Sequence, residues 1–198
     1  MKNICLTGLL FVLFSCTKEN TATFKNPHGG GGTTTLFTKY TIRAGQNYCD
    51  ENKFTATSYS QLNFIAKFDS TAIYSTVNPD NQLDINKLYG FSDNNSTHQQ
   101  FSARFGWRWS DNALRLFGYV YNNGIRDSKE LGIVKIGAEN NCSIKVNPKS
   151  YVFTLNGVVD SLPRTSTTAK ASGYKLYPYF GGDETAPHDF NIWIKELN

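Results

Sequence analysis

Arg104 and Arg108 stand four residues apart in a run, 100–109, that is otherwise mostly apolar. If that run is extended, its side chains alternate between two faces. Ala103, Phe105, Trp107 and Trp109 then share an apolar face, while Arg104 and Arg108 share the other, with Gly106 leaving room between them. The run 113–121 repeats the division, with Leu114, Leu116 and Val120 on one face and Arg115, Phe117, Tyr119 and Tyr121 on the other. In 174–180, Lys175, Tyr177 and Tyr179 alternate with Tyr174, Leu176 and Pro178, and the first set is assigned to the same Arg/Tyr face. A planar guanidinium pairs a carboxylate or sulfate in bidentate fashion. A tyrosine ring stacks on the apolar side of a pyranose while its hydroxyl stays polar. Arg104, Arg108, Arg115, Tyr119, Tyr121, Lys175, Tyr177 and Tyr179 are thus the expected contacts for a polysaccharide or oligosaccharide, an acidic one where the cations engage. The competing reading is an exposed sheet covered by amphipathic stems.

Other chemistries find less material. No Gly-x-Ser-x-Gly occurs, and neither His98, ahead of a strand, nor His188, in a Pro-containing loop, has a visible serine partner. His and Cys are not spaced as zinc ligands. Asp93, Asp183, Glu184 and Asp189 are oxygen donors in loops, which is the material of a calcium site. Turn-forming and capping duties account for the same residues, and no cofactor is expected beyond that calcium alternative. The balance of 20 Lys+Arg against 16 Asp+Glu contains no basic run able to track phosphates, so nucleic acid is not an expected partner.

The elements that must position these residues read as strands. Of 198 residues, 39% are hydrophobic and 14% aromatic, enough to fill a core, and the single Met with abundant Thr, Val and Ile favours β structure. Strand-like stretches fall at 36–44, 61–69, 71–76, 100–109, 113–121, 130–136, 143–146, 151–155, 173–180 and 190–197. Between them lie dense turn signals such as Ser110-Asp111-Asn112, Asn122-Asn123-Gly124 and Gly181-Gly182-Asp183. One helical turn is expected at 85–88. About ten short strands at this spacing predict an all-β, two-sheet antiparallel sandwich or a barrel, with 36–44 near 190–197.

The N-terminus is read as an address. Lys2 precedes an apolar segment, 4–14, too short to span a bilayer, and no apolar run anywhere reaches the length of a spanning helix. Leu13-Phe14-Ser15-Cys16 resembles the lipobox of bacterial lipoproteins, which implies a signal peptide over 1–15 and a lipidated Cys16. Residues 16–35 hold an unbroken Gly29 to Gly32 run and read as a flexible tether of roughly 25 Å reach. The domain then spans 36–198, exported and anchored by lipid alone in the cell envelope, with the outer membrane expected. With Cys5 removed and Cys16 acylated, Cys49 and Cys142 remain. In an exported protein such a pair invites a disulfide, worth about 4–5 kcal/mol on the entropy model. Two unrelated small residues would explain them equally well.

Three segments carry a further resemblance: Ile85-Asn86-Lys87-Leu88-Tyr89-Gly90-Phe91-Ser92-Asp93, His98 to Trp107, and Tyr177 to Asp189. Together they resemble a group of secreted bacterial lipoproteins with a concanavalin A-like jelly roll, over about 38–197. The resemblance implies a fold shared with lectins, glucanases and polysaccharide lyases. The glucanase run Glu-x-Asp-x-x-Glu does not occur. Lyases of the alginate type use an Arg, an amide, a His and a Tyr on the concave face, and similarity to them implies His98, Gln100, Arg104, Tyr121 and Tyr179 as catalytic candidates. Arg or an amide would neutralise a uronate carboxylate while Tyr or His moves the C5 proton. The sequence lacks the Glu of those lyases' Arg-x-Glu-x-Arg run and their Gln-x-His pair. The leading expectation is therefore a membrane-tethered polysaccharide-binding lipoprotein. A uronate-polymer lyase is the alternative, and a structural or adhesin-like envelope protein the third reading.

Overall fold

The computed structural model describes residues 36–197. The expected signal peptide, the expected lipidation site Cys16 and the expected tether lie outside the described residues. Two six-stranded antiparallel sheets pack face to face. The first runs β1 (Thr38–Ile42), β12 (Phe190–Leu197), β3 (Gln61–Phe68), β8 (Glu139–Val146), β9 (Ser150–Leu155) and β10 (Val158–Pro163). The second runs β2 (Ala56–Tyr59), β11 (Ala171–Leu176), β4 (Asn86–Ser92), β5 (Phe101–Ser110), β6 (Ala113–Asn122) and β7 (Ile125–Val134). The terminal strands meet as expected, with Tyr40 opposite Ile192.

Alternation builds the core. On β3, Leu62, Phe64, Ala66 and Phe68 point inward, and on β5 Ala103, Phe105 and Trp107 answer them, all within 1% of complete burial. The rings interlock edge to face, Phe64 on Phe105 at 5.4 Å and Phe105 on Phe153 at 5.4 Å, an arrangement favoured by the ring quadrupole. Gly118 lets the sheets close here, since a Cβ on it would stand 3.1 Å from the Phe153 ring. Three two-residue hairpins fix the register. Asp111-Asn112, Asn123-Gly124 and Asn156-Gly157 all take positive φ, the backbone that matches strand twist.

The differences from expectation have local causes. Residues 71–76 form no strand: a 3-10 turn, Ser70–Ala72, precedes a segment in which the Thr76 N–H donates to the Gln82 side chain rather than to a sheet. The expected helical turn at 85–88 is not formed: Asn86 to Leu88 open β4. That strand has a bulge between Lys87 and Gly90 against β5, so Leu88 and Tyr89 are both buried and the period of two is lost. β2 is four residues long and β10 is a largely exposed edge strand, so neither shows the alternation of a half-buried strand.

Cys49 and Cys142 are both buried and unbonded, which corrects the disulfide candidate. Cys49 bridges to Ile42 on β1, whereas Cys142 lies on β8, with β12 and β3 between those strands. At about 4.8 Å per strand the separation exceeds the ~7 Å Cα limit for a disulfide. Each thiol donates to a nearby carbonyl instead, Cys49 to Glu51 and Cys142 to Asn140.

Candidate functional site

The outer face of the second sheet carries a groove of about 490 Å³ running across β11, β4, β5, β6 and β7. Arg104 forms its floor. Its cross-strand partner Tyr119 shares that face, as does Tyr121, opposite Arg126 in the β6–β7 hairpin. The β4 bulge turns Lys87 onto the same side, where its Nζ lies 5.5 Å from the Tyr119 ring and 5.8 Å from the Tyr179 ring. Lys87 also donates to the Gly181 carbonyl at 2.7 Å. Tyr48 and Tyr179 meet edge to face at 4.9 Å, and Phe54, Tyr174 and His98 form another aromatic group at the groove. Gly90 stands opposite Arg104, and a Cβ there would collide with the Ala103 carbonyl and the Arg104 backbone. The floor thus depends on that glycine.

The electrostatics are one-sided. Among the described residues, the groove lining includes no Asp or Glu. Arg104 is 7% exposed, and its buried Nε has no hydrogen-bond partner. The Tyr119 ring lies 5.4 Å from its guanidinium carbon. Burial lowers the Arg104 pKa to about 10. Burial first, and then the Arg104 charge, hold Lys87 down to about 8. The same two causes lower His98, whose Nδ1 lies 2.9 Å from the Tyr174 hydroxyl. Burial raises Tyr119 to about 12, so its phenol keeps its proton at neutral pH. An unpaired buried guanidinium is costly unless something anionic arrives to pair with it.

Not every expected contact is here. Arg108 shares the Arg104 face but lies outside the groove: it donates to the Leu83 carbonyl at 2.7 Å in the 3-10 turn Pro79–Leu83 and stacks over Phe117 at 4.7 Å. Arg115 is held by Glu130 at 2.9 Å and Asp111 at 3.2 Å. Lys175 and Tyr177 border the groove, but their side chains turn into the space between the sheets. Lys175 pairs across strands with buried Phe91 and binds Glu196 at 2.6 Å, while Tyr177 packs on Tyr40 and Tyr89. Along 174–177 the faces are therefore exchanged relative to the alternation expected, with Tyr174 on the groove and Lys175 and Tyr177 turned inward, because neither face of that run is plainly apolar. Tyr179 is on the groove all the same: beyond β11 the chain changes face with the β4 bulge and Tyr179 bridges Lys87. Of the lyase-type candidates, His98, Arg104, Tyr121 and Tyr179 line the groove and Gln100 does not, its neighbour Gln99 taking that place.

Lys87, Arg126, Tyr174, Tyr48 and Phe54 were not expected. Arg126 was legible, since the Asn123-Gly124 turn puts it opposite Tyr121. Lys87 was hidden by the bulge. The carboxylates considered for calcium have protein donors: Asp93 accepts from Arg164, Tyr151 and Thr168, Glu184 from the backbone of Val77 and Asn78, and Asp189 from Arg43 and Ala44. Asp183 is exposed in its loop, and among the described residues no three His, Cys, Asp or Glu side chains converge as a metal site would require.

No family model and no curated protein sequence matches the chain. Solved structures do. An endo-glucanase of glycoside hydrolase family 16 from Bacteroides ovatus aligns over 85% of this chain and 84% of its own, at 12% identity and a TM-score of 0.52. The laminarinase catalytic domain from Thermotoga maritima aligns over 81% of this chain and 75% of its own, at 12% identity and 0.53. An alginate lyase aligns over 79% of this chain and 69% of its own, at 11% identity and 0.50. At such identities the likeness concerns architecture: the domain is a two-sheet antiparallel jelly roll of the concanavalin A-like kind.

Proposed function

We propose that the groove binds a chain of acidic polysaccharide, and that the domain does so at the bacterial cell envelope, tethered through a lipidated Cys16 with the outer membrane as its expected location. One observation carries the reading: the buried guanidinium of Arg104, whose Nε lacks any partner among the described residues, on the floor of a groove whose described lining includes no carboxylate. Lys87 and Arg126 add positive charge on either side, and Tyr48, Tyr121, Tyr174 and Tyr179 supply rings for stacking on sugars, while the Tyr119 ring is buried beneath Arg104. A uronate carboxylate seated on Arg104 would complete the fork and relieve the unpaired charge. Names such as glucanase and alginate lyase belong to enzymes on this architecture, and fold alone assigns no activity. The reading rests on the groove. Hydrolysis by paired carboxylates is disfavoured because no Asp or Glu among the described residues lines it.

A second reading, β-elimination on a uronate polymer, is favoured by one feature: the lowered pKa of His98 keeps an imidazole neutral in the same groove, beside the phenols of Tyr119 and Tyr121. Titration of the purified protein with uronate and neutral oligosaccharides tests the first reading. Arg104→Ala is expected to weaken uronate binding by about 1.5–3 kcal/mol, the range for a hydrogen bond to a charged group. Equal affinity for both sugar classes would refute it, and no affinity for either would leave the structural or adhesin-like reading. Ultraviolet absorbance from unsaturated product, growing during incubation with uronates, would mark the lyase.

A further inference from the structure

The opposite side of the sandwich carries a different cluster. On the outer face of the first sheet, Lys39 of β1 and Lys67 of β3 reach over the Trp193 ring of β12, each at 5.6 Å. Lys67 also lies 5.6 Å from the Phe37 ring, and Lys195 lies 5.9 Å from it. Alternation fixes the outward direction, because Tyr40, Ala66, Phe68, Ile192 and Ile194 beside them are buried in the core. None of the three ammonium groups has a carboxylate within ion-pair distance among the described residues. Glu139 is the acid opposite Lys67 in register, and it forms no pair. Leu36, 64% exposed, extends the apolar part of the patch.

We propose that this face docks on an anionic lipid bilayer. Two observations choose that occupant. The first is chemical complementarity: lysines that lay their methylene stems on aromatic rings and hold their charges outward match a surface of anionic headgroups over acyl chains. The second is position. The 35 residues that precede the domain join it at Leu36 and Phe37, within the patch itself, so attachment of that segment to a membrane would keep this corner, more than any other part of the domain, within the segment's reach of the lipid. A bilayer contact here leaves the groove, on the outer face of the other sheet, pointing away from the membrane and open to polymer.

The test uses the expected processed chain, residues 16–198, carrying Cys16→Ser, which removes the acyl acceptor and leaves out the apolar 4–14 segment. It is sedimented with phosphatidylcholine vesicles and with mixed phosphatidylcholine–phosphatidylglycerol vesicles. Selective binding to the mixed vesicles, lost on adding salt, is expected. Adding Lys39→Gln, Lys67→Gln and Lys195→Gln together should lower the partition coefficient on the order of a hundredfold, from three charges at the strength one lysine has near such a surface. Trp193→Ala should lower it as well. A control with the same change in net charge, Lys135→Gln, Lys149→Gln and Lys170→Gln, should bind like the parent, and thermal melting verifies that each variant is folded. Equal binding to both vesicle types, equal loss in the control, or loss confined to binding of soluble acidic oligosaccharides would overturn the proposal.

Discussion

Replacing Arg104 by Met keeps an unbranched stem in the floor of the groove and removes its charge. Burial brings the guanidinium from 12.5 to about 10. At 1.36 kcal/mol per unit, that depression is about 3 kcal/mol of penalty for holding the charged form in the folded protein. The cation–π contact with Tyr119 returns about 1 kcal/mol of it. Removing both leaves Arg104→Met more stable by about 2 kcal/mol. For a domain of this size, at about 2–4 °C per kcal/mol, the melting temperature should rise by roughly 4–8 °C. Binding of a uronate oligosaccharide should fall at the same time by about tenfold to a hundredfold, as a charge-assisted fork is lost. Thermal melting followed by circular dichroism without ligand gives the first number, and calorimetric titration gives the second. A lower melting temperature would show that the guanidinium has a structural partner, and an unchanged affinity would remove Arg104 from recognition. A residue that costs stability while serving binding is expected at a functional site.

Further outcomes follow from neighbouring groups. Lys87, held near 8, is charged below that pH and neutral above it, so affinity for an acidic oligosaccharide should fall as pH rises through about 8; titrations from neutral to alkaline pH check this, and Lys87→Met should flatten the profile. For folding the sign is opposite: the unfolded lysine binds its proton more tightly, so this group's destabilising contribution disappears between about 8 and 10.5. Arg164 and Asp93 form a buried pair at 2.8 Å, and Arg164→Met, which leaves the carboxylate without its counter-charge, should cost about 3–5 kcal/mol in chemical denaturation. Burial opposes ionisation of Asp93, but hydrogen bonds from Arg164 and Tyr151 outweigh it and lower its pKa, so the stability this group adds should be lost as pH falls below the ordinary carboxylate range. Burial pushes the Cys49 thiol up to about 12 and raises Cys142 as well, so neither should react with a thiol reagent until the protein is unfolded, and mass spectrometry without reductant should find no bridge between them.

Residue patterning reaches only the local features of this domain. Period-two patterning in β3, β5, β6 and β12 marked the strands and their buried faces, because a half-buried strand must alternate. The Asp111-Asn112 and Asn123-Gly124 turns were legible because few residues accept positive φ. Arg104, Tyr119 and Tyr121 were read onto one face for the same reason. The tertiary structure decided what no local period encodes. Lys87 reaches the groove only through a bulge that breaks alternation in β4. Lys175 turns inward because Glu196, 21 residues away on the other sheet, supplies its counter-charge. Arg108 and Arg115 share the Arg104 face in sequence, yet the Leu83 carbonyl and the carboxylates of Glu130 and Asp111 hold them away from the groove. Alternation says which way a side chain points. Whether that side chain stays free for a ligand depends on partners brought in from distant parts of the chain, and only folding brings them there.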